Sequence, residues 1–231
     1  MQTEFDLMNV IEEDDRKLLE NNRINNMKRG DWGKAMAVPN QYIHRNLLNH
    51  HLQKHGCRVY STDDADLPAE VSIANNSPGF DLIIVLPDGK IKTVQSKLRQ
   101  IDGITDYSKQ IHFETTRRNS KKNQDKNHTG HICYSLNEFD YVMISLVNDR
   151  ENTNKRKNCN LWSFCIIPIS ELEDTKHPGC CMSHITSKIV EQNIVNMHTD
   201  ISYKFIQDVN VNVCDDVNID VNVCDDVNLL T

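Results

Sequence analysis

Three residues in the stretch GFDLIIVLPDGKIKTVQSKLRQ (79–100) have side chains suited to phosphoryl chemistry: Asp81, Gln95 and Lys97. A carboxylate and a carboxamide oxygen are hard donors of the kind Mg²⁺ prefers, and the main-chain carbonyl of Ser96 offers a third. A divalent cation lowers the pKa of a bound water and neutralises charge growing on phosphorus, and an ammonium group nearby can orient that water or favour its deprotonated form. Asp81, Gln95 and Lys97 are therefore candidate catalytic residues, and Asp81, Gln95 and Ser96 candidate Mg²⁺ ligands. The same residues also fit a plain amphipathic hairpin, with Asp81 as a strand cap and Lys97 as a surface lysine.

The elements needed to bring these groups together are legible around them. LIIV (82–85) and KIKTVQSKL (90–98) are apolar runs flanking Pro-Asp-Gly, and Asp-Gly favours a tight hairpin turn. Side chains two apart in a strand share a face, so Gln95 and Lys97 point one way and Ser96 the other. In an antiparallel hairpin the start of the first strand lies beside the end of the second, which carries Asp81 to residues 95–97.

Other elements follow by pattern. Residues 1–20 fit an acidic amphipathic helix, and QYIHRNLLNHHLQKHG places Ile43, Leu47, Leu48 and Leu52 at helical spacing, with Pro39 near its start and Gly56 as its stop. His44, His50, His51 and His55 then read as the helix surface. CRVYST reads as a short strand, and FDYVMISLV (139–147) as a strand buried on both faces. LWSFCIIPI (161–169) is a further strand, ended by Pro168. SELED opens a helix or turn capped by Ser170, with Glu173 at the capping-box position, and SKIVEQNIV (187–195) fits either strand or helix. VNVCDDVN occurs at 211–218 and again at 221–228, a repeat too short for a solenoid.

The 231 residues, 38% of them hydrophobic, suit one domain with tails: an acidic segment over 1–31, a folded domain over 32–199, and an acidic tail over 200–231. The net charge of −7 argues against an anion-binding protein only until it is mapped. Residues 1–20 hold seven acids against two bases and residues 200–231 seven against one, whereas residues 90–126 hold ten bases against four acids. Exposed charges act over about 10 Å at moderate salt, so the local excess governs binding of an anion. No apolar run reaches the roughly 20 residues that span a bilayer, and the start lacks a signal-peptide pattern, so a soluble, intracellular protein with no membrane partner is expected. The eight cysteines are scattered without a CxxC pair, and Cys180-Cys181 between His177 and His184 matches no standard zinc spacing.

The order Asp81-x13-Gln95-x-Lys97 resembles the PD-(D/E)xK nuclease motif, in the variant with glutamine at the middle position that some type II restriction endonucleases carry. Ser77-Pro78-Gly79-Phe80-Asp81 is similar to the turn that introduces that family's aspartate. The resemblance covers about residues 32–175. It implies an α/β fold with a restriction-endonuclease-like core, a central mixed β-sheet flanked by helices, including a basic helical segment after the hairpin. It further implies a Mg²⁺-dependent endonuclease acting on double-stranded DNA, most like a sequence-specific type II restriction enzyme working as a homodimer. A repair, recombination or mobile-element nuclease of the same fold, or an inactive DNA-binding module, are the alternatives. The family often recruits an upstream acid, for which Glu70 is the candidate, with Gln41 as a second. Arg99, Arg117, Arg118, Asn119, Lys121 and Lys122 are the candidate DNA-binding residues: the bases neutralise phosphates, and arginine and asparagine can read base edges.

Overall fold

The computed structural model describes residues 13, 16, 17, 29–64, 67–72, 79–101, 111–112, 116–118, 131–148, 158–182 and 184–206. In chain order its elements are α1 (Arg29–Ala35), α2 (Ala37–Leu52), β1 (Arg58–Ser61), α3 (Ala69–Ser72), β2 (Leu82–Val85), β3 (Ile91–Ile101), β4 (Ile111–His112), β5 (Thr116–Arg118), β6 (His131–Cys133), β7 (Tyr141–Asn148), β8 (Ser163–Pro168), β9 (His184–Ile185), α4 (Ser187–Asn193), β10 (Ile194–Val195) and α5 (Tyr203–Ile206). Six strands form one mixed sheet in the order β1-β2-β3-β7-β8-β10. All its pairings are antiparallel except β3 with β7, which run parallel with Gln95 opposite Val142 and Lys97 opposite Ile144. Two further pairs, β4 with β9 and β5 with β6, lie outside this sheet. The molecule is thus α/β, a central mixed sheet flanked by helices.

The hairpin forms where the turn chemistry places it. Leu86 N–H donates to Lys90 O at 2.8 Å and Gly89 N–H to Leu86 O at 2.9 Å, with Gly89 at φ 80, a conformation open to glycine at no steric cost. Strand β3 then runs to Ile101, past the end of its partner β2, and its outer half pairs with β7 instead. Cover on both faces of the sheet is why β7 is apolar on both sides except at Ser145, with Val142 to Val147 all buried.

Alternation along the strands sorts side chains into two cores. Leu82, Ile84, Val94, Met143, Val147, Phe164 and Ile166 face α1 and α2, meeting Trp32, Met36, Ile43, Leu47, Leu48 and Leu52. Ile83, Val85, Val142, Ile144, Leu146, Cys165 and Ile167 face the other way, onto Val71, Tyr134, Phe139, Leu172 and Val190. Each fully buried side chain of this size contributes about 1.5–3 kcal/mol relative to exposure, so both layers are needed to hold the sheet.

Several expectations change. His44 and His51 are buried rather than on the helix surface, because Asn40, His44 and His51 lie within the apolar stripe of α2 and find polar partners there. The basic stretch 99–126 is not helical where it is described: Ile111–His112 and Thr116–Arg118 are strands. Residues 187–195 divide into α4 and β10, the helix being capped by Thr186, whose hydroxyl accepts from Ile189 N–H. Ser170 caps nothing; it lies inside a 3₁₀ turn, Ile169–Leu172, that begins after Pro168. Ile201 and Phe205 are buried in the α2-side core. No helix among the described residues is long and apolar enough to cross a membrane.

Candidate functional site

Asp81 stands at the mouth of the β2–β3 hairpin. Its N–H donates to Val94 O at 3.0 Å, and its carbonyl accepts from Thr62 N–H at 3.0 Å and Thr62 Oγ1 at 3.2 Å, so its backbone is fixed from both sides. The preceding turn leaves little room for a side chain. A Cβ on Gly79 would come within 3.0 Å of Glu138 Cβ, and Glu138 Oε1 is itself engaged by Ser135 N–H at 3.1 Å. On the other side, Thr93 N–H and Oγ1 both donate to Asp140 Oδ2, at 2.8 and 2.9 Å, which ties the approach of β3 to the start of β7.

The fixed backbone brings Asp81, Gln95 and Ser96 together. Ser96 N–H donates to Asp81 Oδ2 at 2.8 Å. The Gln95 carboxamide contacts the same oxygen through Nε2 and also reaches Ser96 O at 3.3 Å. Gln41, on α2, hydrogen-bonds the Asp81 carboxylate from the helix layer. Lys97 lies within electrostatic range of Asp81, with its Nζ 5.7 Å from the centre of the Tyr134 ring. Lys97 and Arg99 share the Gln95 face of β3, whereas Ser96 turns to the α2 side.

Electrostatics at this point are unfavourable to an isolated anion. Burial pushes the Asp81 carboxyl above the usual carboxylate range. The Ser96 N–H, the Lys97 charge and the Gln41 side chain pull it back, and the nearby charge of Asp63 adds to the rise. Two acids, Asp63 and Asp81, thus approach each other at the end of β1 and β2. Asp64, its neighbour, is occupied otherwise: its Oδ1 accepts from Arg45 at 2.9 Å and its Oδ2 from Ser61 N–H at 2.9 Å.

The donor set fits a hard cation in chemistry. Asp81 Oδ2, Ser96 O and the Gln95 carboxamide meet at one point, and a carboxamide is able to present either its nitrogen or its oxygen there. No group of three or more His, Cys, Asp and Glu side chains among the described residues is arranged to hold a metal, so any cation here would depend on the amide and the main chain. His177 and Cys180 form no such centre; His177 Nδ1 pairs with Asp174 Oδ2 at 3.0 Å.

The other sequence candidates are distributed differently. Glu70 lies in α3 and Arg117 and Arg118 in β5, but their side chains are outside the described residues, as are Asn119, Lys121 and Lys122 altogether. Arg99 is half-buried on β3. Tyr134, Asp63 and Asp140 were not expected. Asp63 has a sequence signal, an acid directly after a strand that pairs with β2; Tyr134 has none, because it arrives from the loop before β7.

No protein-family profile matches the chain, and no curated protein does. Among solved structures, a bacterial homing endonuclease is similar at 14% identity over 58% of this chain and 70% of that one, with a TM-score of 0.31.

Proposed function

We propose that the protein is a Mg²⁺-dependent endonuclease that hydrolyses phosphodiester bonds of double-stranded DNA, of the restriction type and working as a homodimer. The observation that supports this reading most is the meeting of Asp81, Gln95 and the Ser96 carbonyl at one point, with Lys97 on the same strand face. Mg²⁺, when bound, would supply an acidified water and neutralise charge on the phosphate under attack. Asp81, the Ser96 carbonyl and the Gln95 carboxamide would hold the cation. Lys97 orients the attacking water and favours its deprotonated form. The water oxygen bonds to phosphorus, one phosphorus–oxygen ester bond breaks, and the departing sugar oxygen takes up a proton. Arg99, Arg117, Arg118, Asn119, Lys121 and Lys122 contact the DNA, the basic members neutralising phosphates. Glu70 and Gln41 are the candidates for completing the site, and Gln41 has the stronger support because its side chain reaches Asp81.

One observation favours a second reading. Gln95, which contacts Asp81 Oδ2 and Ser96 O, is a neutral amide and adds no charge to hold a cation, which suits a DNA-binding module with no metal and no cleavage. Incubating the purified protein with unmethylated plasmids, with Mg²⁺ or with a chelator, separates the two. Discrete Mg²⁺-dependent fragments that vanish in Lys97→Ala support the nuclease. Binding without cleavage under any divalent cation supports the module. Sequencing the fragment ends distinguishes a fixed recognition site from structure-selective cutting.

A further inference from the structure

Directly behind the candidate site, four polar side chains are sealed between α2, β3 and β7. Asn40 is 2% exposed, Ser96 9%, and His44 and Ser145 0%, so they must satisfy one another without water. They do so in a closed ring. Asn40 Nδ2 donates to Ser96 Oγ at 2.9 Å, Ser96 Oγ meets His44 Nδ1 at 2.8 Å, His44 Nε2 meets Ser145 Oγ at 2.8 Å, and Ser145 Oγ donates to Asn40 Oδ1 at 2.6 Å. The proton positions follow from the partners. The amide oxygen of Asn40 is only an acceptor, so the Ser145 hydroxyl proton points to it. Ser145 must then accept from His44, which places the imidazole proton on Nε2. Nδ1 is left as an acceptor for the Ser96 hydroxyl, and Ser96 accepts from Asn40. Every member donates to the next, all the way round, and the second Asn40 N–H reaches Lys97 O at 3.2 Å. Burial drives the His44 pKa down to about 3, which keeps the imidazole in the neutral form the ring requires.

The ring's outlets lead to the site. Ser96 is the residue whose N–H holds Asp81 Oδ2 and whose carbonyl lies by the Gln95 amide. Lys97 O is gripped by Asn40, and the next residue on α2, Gln41, reaches Asp81. Asn40 and His44 are four apart, one helical turn, so the two grips fix both the rotation and the height of α2 against β3. A hydrophobic patch of equal size would glue the layers but would leave them free to slide; a directional ring allows one register.

We propose that Asn40, His44, Ser96 and Ser145 are positioning residues: their ring locks residues 95–97 and seats α2 so that the Ser96 N–H and Gln41 hold the Asp81 carboxylate for catalysis. The catalytic half of this inference rests on the nuclease reading, and the structural half does not. Ser145 is the member to change, since it touches none of the candidate catalytic groups. In Ser145→Ala, the Ser96 amide is expected to lose hydrogen-exchange protection while the Thr93 amide, held by Asp140 on the same strand, keeps it. The kcat for plasmid cleavage falls about 10- to 100-fold per folded molecule, the range for groups that orient a metal's ligands, and half-saturating Mg²⁺ rises, while the KM for DNA is unchanged. Ser145→Thr, which restores the hydroxyl, recovers kcat. Unchanged Ser96 protection together with wild-type kcat in Ser145→Ala overturns the proposal. Lost Ser96 protection in a protein that never cleaves DNA retires the nuclease reading and leaves the ring standing. Should Ser145→Ala fail to fold, the unaltered protein still decides: a Ser96 amide that exchanges by local fraying, faster than Thr93, overturns the lock.

Discussion

Residues 95–97 have two polar clusters, one on each side of β3, built from similar groups to opposite ends. On the α2 side, Asn40, Ser96, His44 and Ser145 leave no donor or acceptor of the ring unanswered, and all four are neutral. On the other, a carboxylate is held where burial raises its pKa, near a second acid and a lysine. Polar groups that are fully paired stabilise a unique arrangement; a charge that is incompletely compensated stores a preference for a cation or a proton. In the proposed reading, the first cluster fixes geometry and the second is the one that binds and reacts.

The comparison is broken most severely at Asp81. Asp81→Asn is expected to lower Mg²⁺-dependent cleavage by about 10³-fold or more, since removing the anionic ligand forfeits several kcal/mol of charge stabilisation. The same change raises the melting temperature at neutral pH. The sign follows from the raised pKa: the folded protein resists ionising this carboxyl, so stability declines as pH climbs from the unfolded-state value through the folded one, and a neutral amide escapes that cost. A calorimetric scan showing Asp81→Asn less stable than the parent would mean that the cluster is structural. Lys97→Ala follows, with cleavage reduced about 10²-fold or more and folding little altered, as expected of a group that acts on a proton.

Damage to the ring reads out in stability. His44→Leu strands the Ser96 and Ser145 hydroxyls and is expected to cost about 3 kcal/mol in urea unfolding. The ring also sets an acid limit. The folded His44 pKa, about 3, lies below the ordinary imidazole value of about 6.5, so its contribution is complete above that value and is lost as pH falls toward 3. The loss is up to about 1.4 kcal/mol per pH unit. His44→Leu should flatten that slope, and an unchanged slope would assign the acid limit to other groups. The mildest change sharpens the contrast: Gln95→Glu is expected to lower half-saturating Mg²⁺ a few-fold, on the order of one added ligand charge, and to reduce metal-free stability by bringing a second carboxylate against Asp81. Isothermal titration with Mg²⁺ measures it.

The meeting of Asp81 with residues 95 and 96 was legible because it follows from local rules: an Asp-Gly turn sets the hairpin, and a period of two sets which side chains share a face. Strands β1, β2, β7 and β8 were legible for the same reason. The ring was not, although its signal lay in the open as Asn40 and His44, polar residues four apart inside the apolar stripe of α2. Read alone, a helix with four histidines resembles a solvated surface, and only partners 52 to 105 residues away show otherwise. Tyr134 beside Lys97 was hidden in the same way, since it arrives from another part of the chain, whereas Asp63 beside Asp81 carried a signal in its place just after a strand that pairs with β2.

By itself, then, the sequence determined the hairpin, its turn and the facing of Gln95 and Lys97, because those depend on interactions between near neighbours. Tertiary structure decided that β3 outruns β2 to pair in parallel with β7, that α2 turns its asparagine and histidine inward, and that Gln41 reaches the carboxylate. Those outcomes depend on which distant groups can exclude water together while leaving no donor or acceptor unanswered, a condition that only the packed chain can impose.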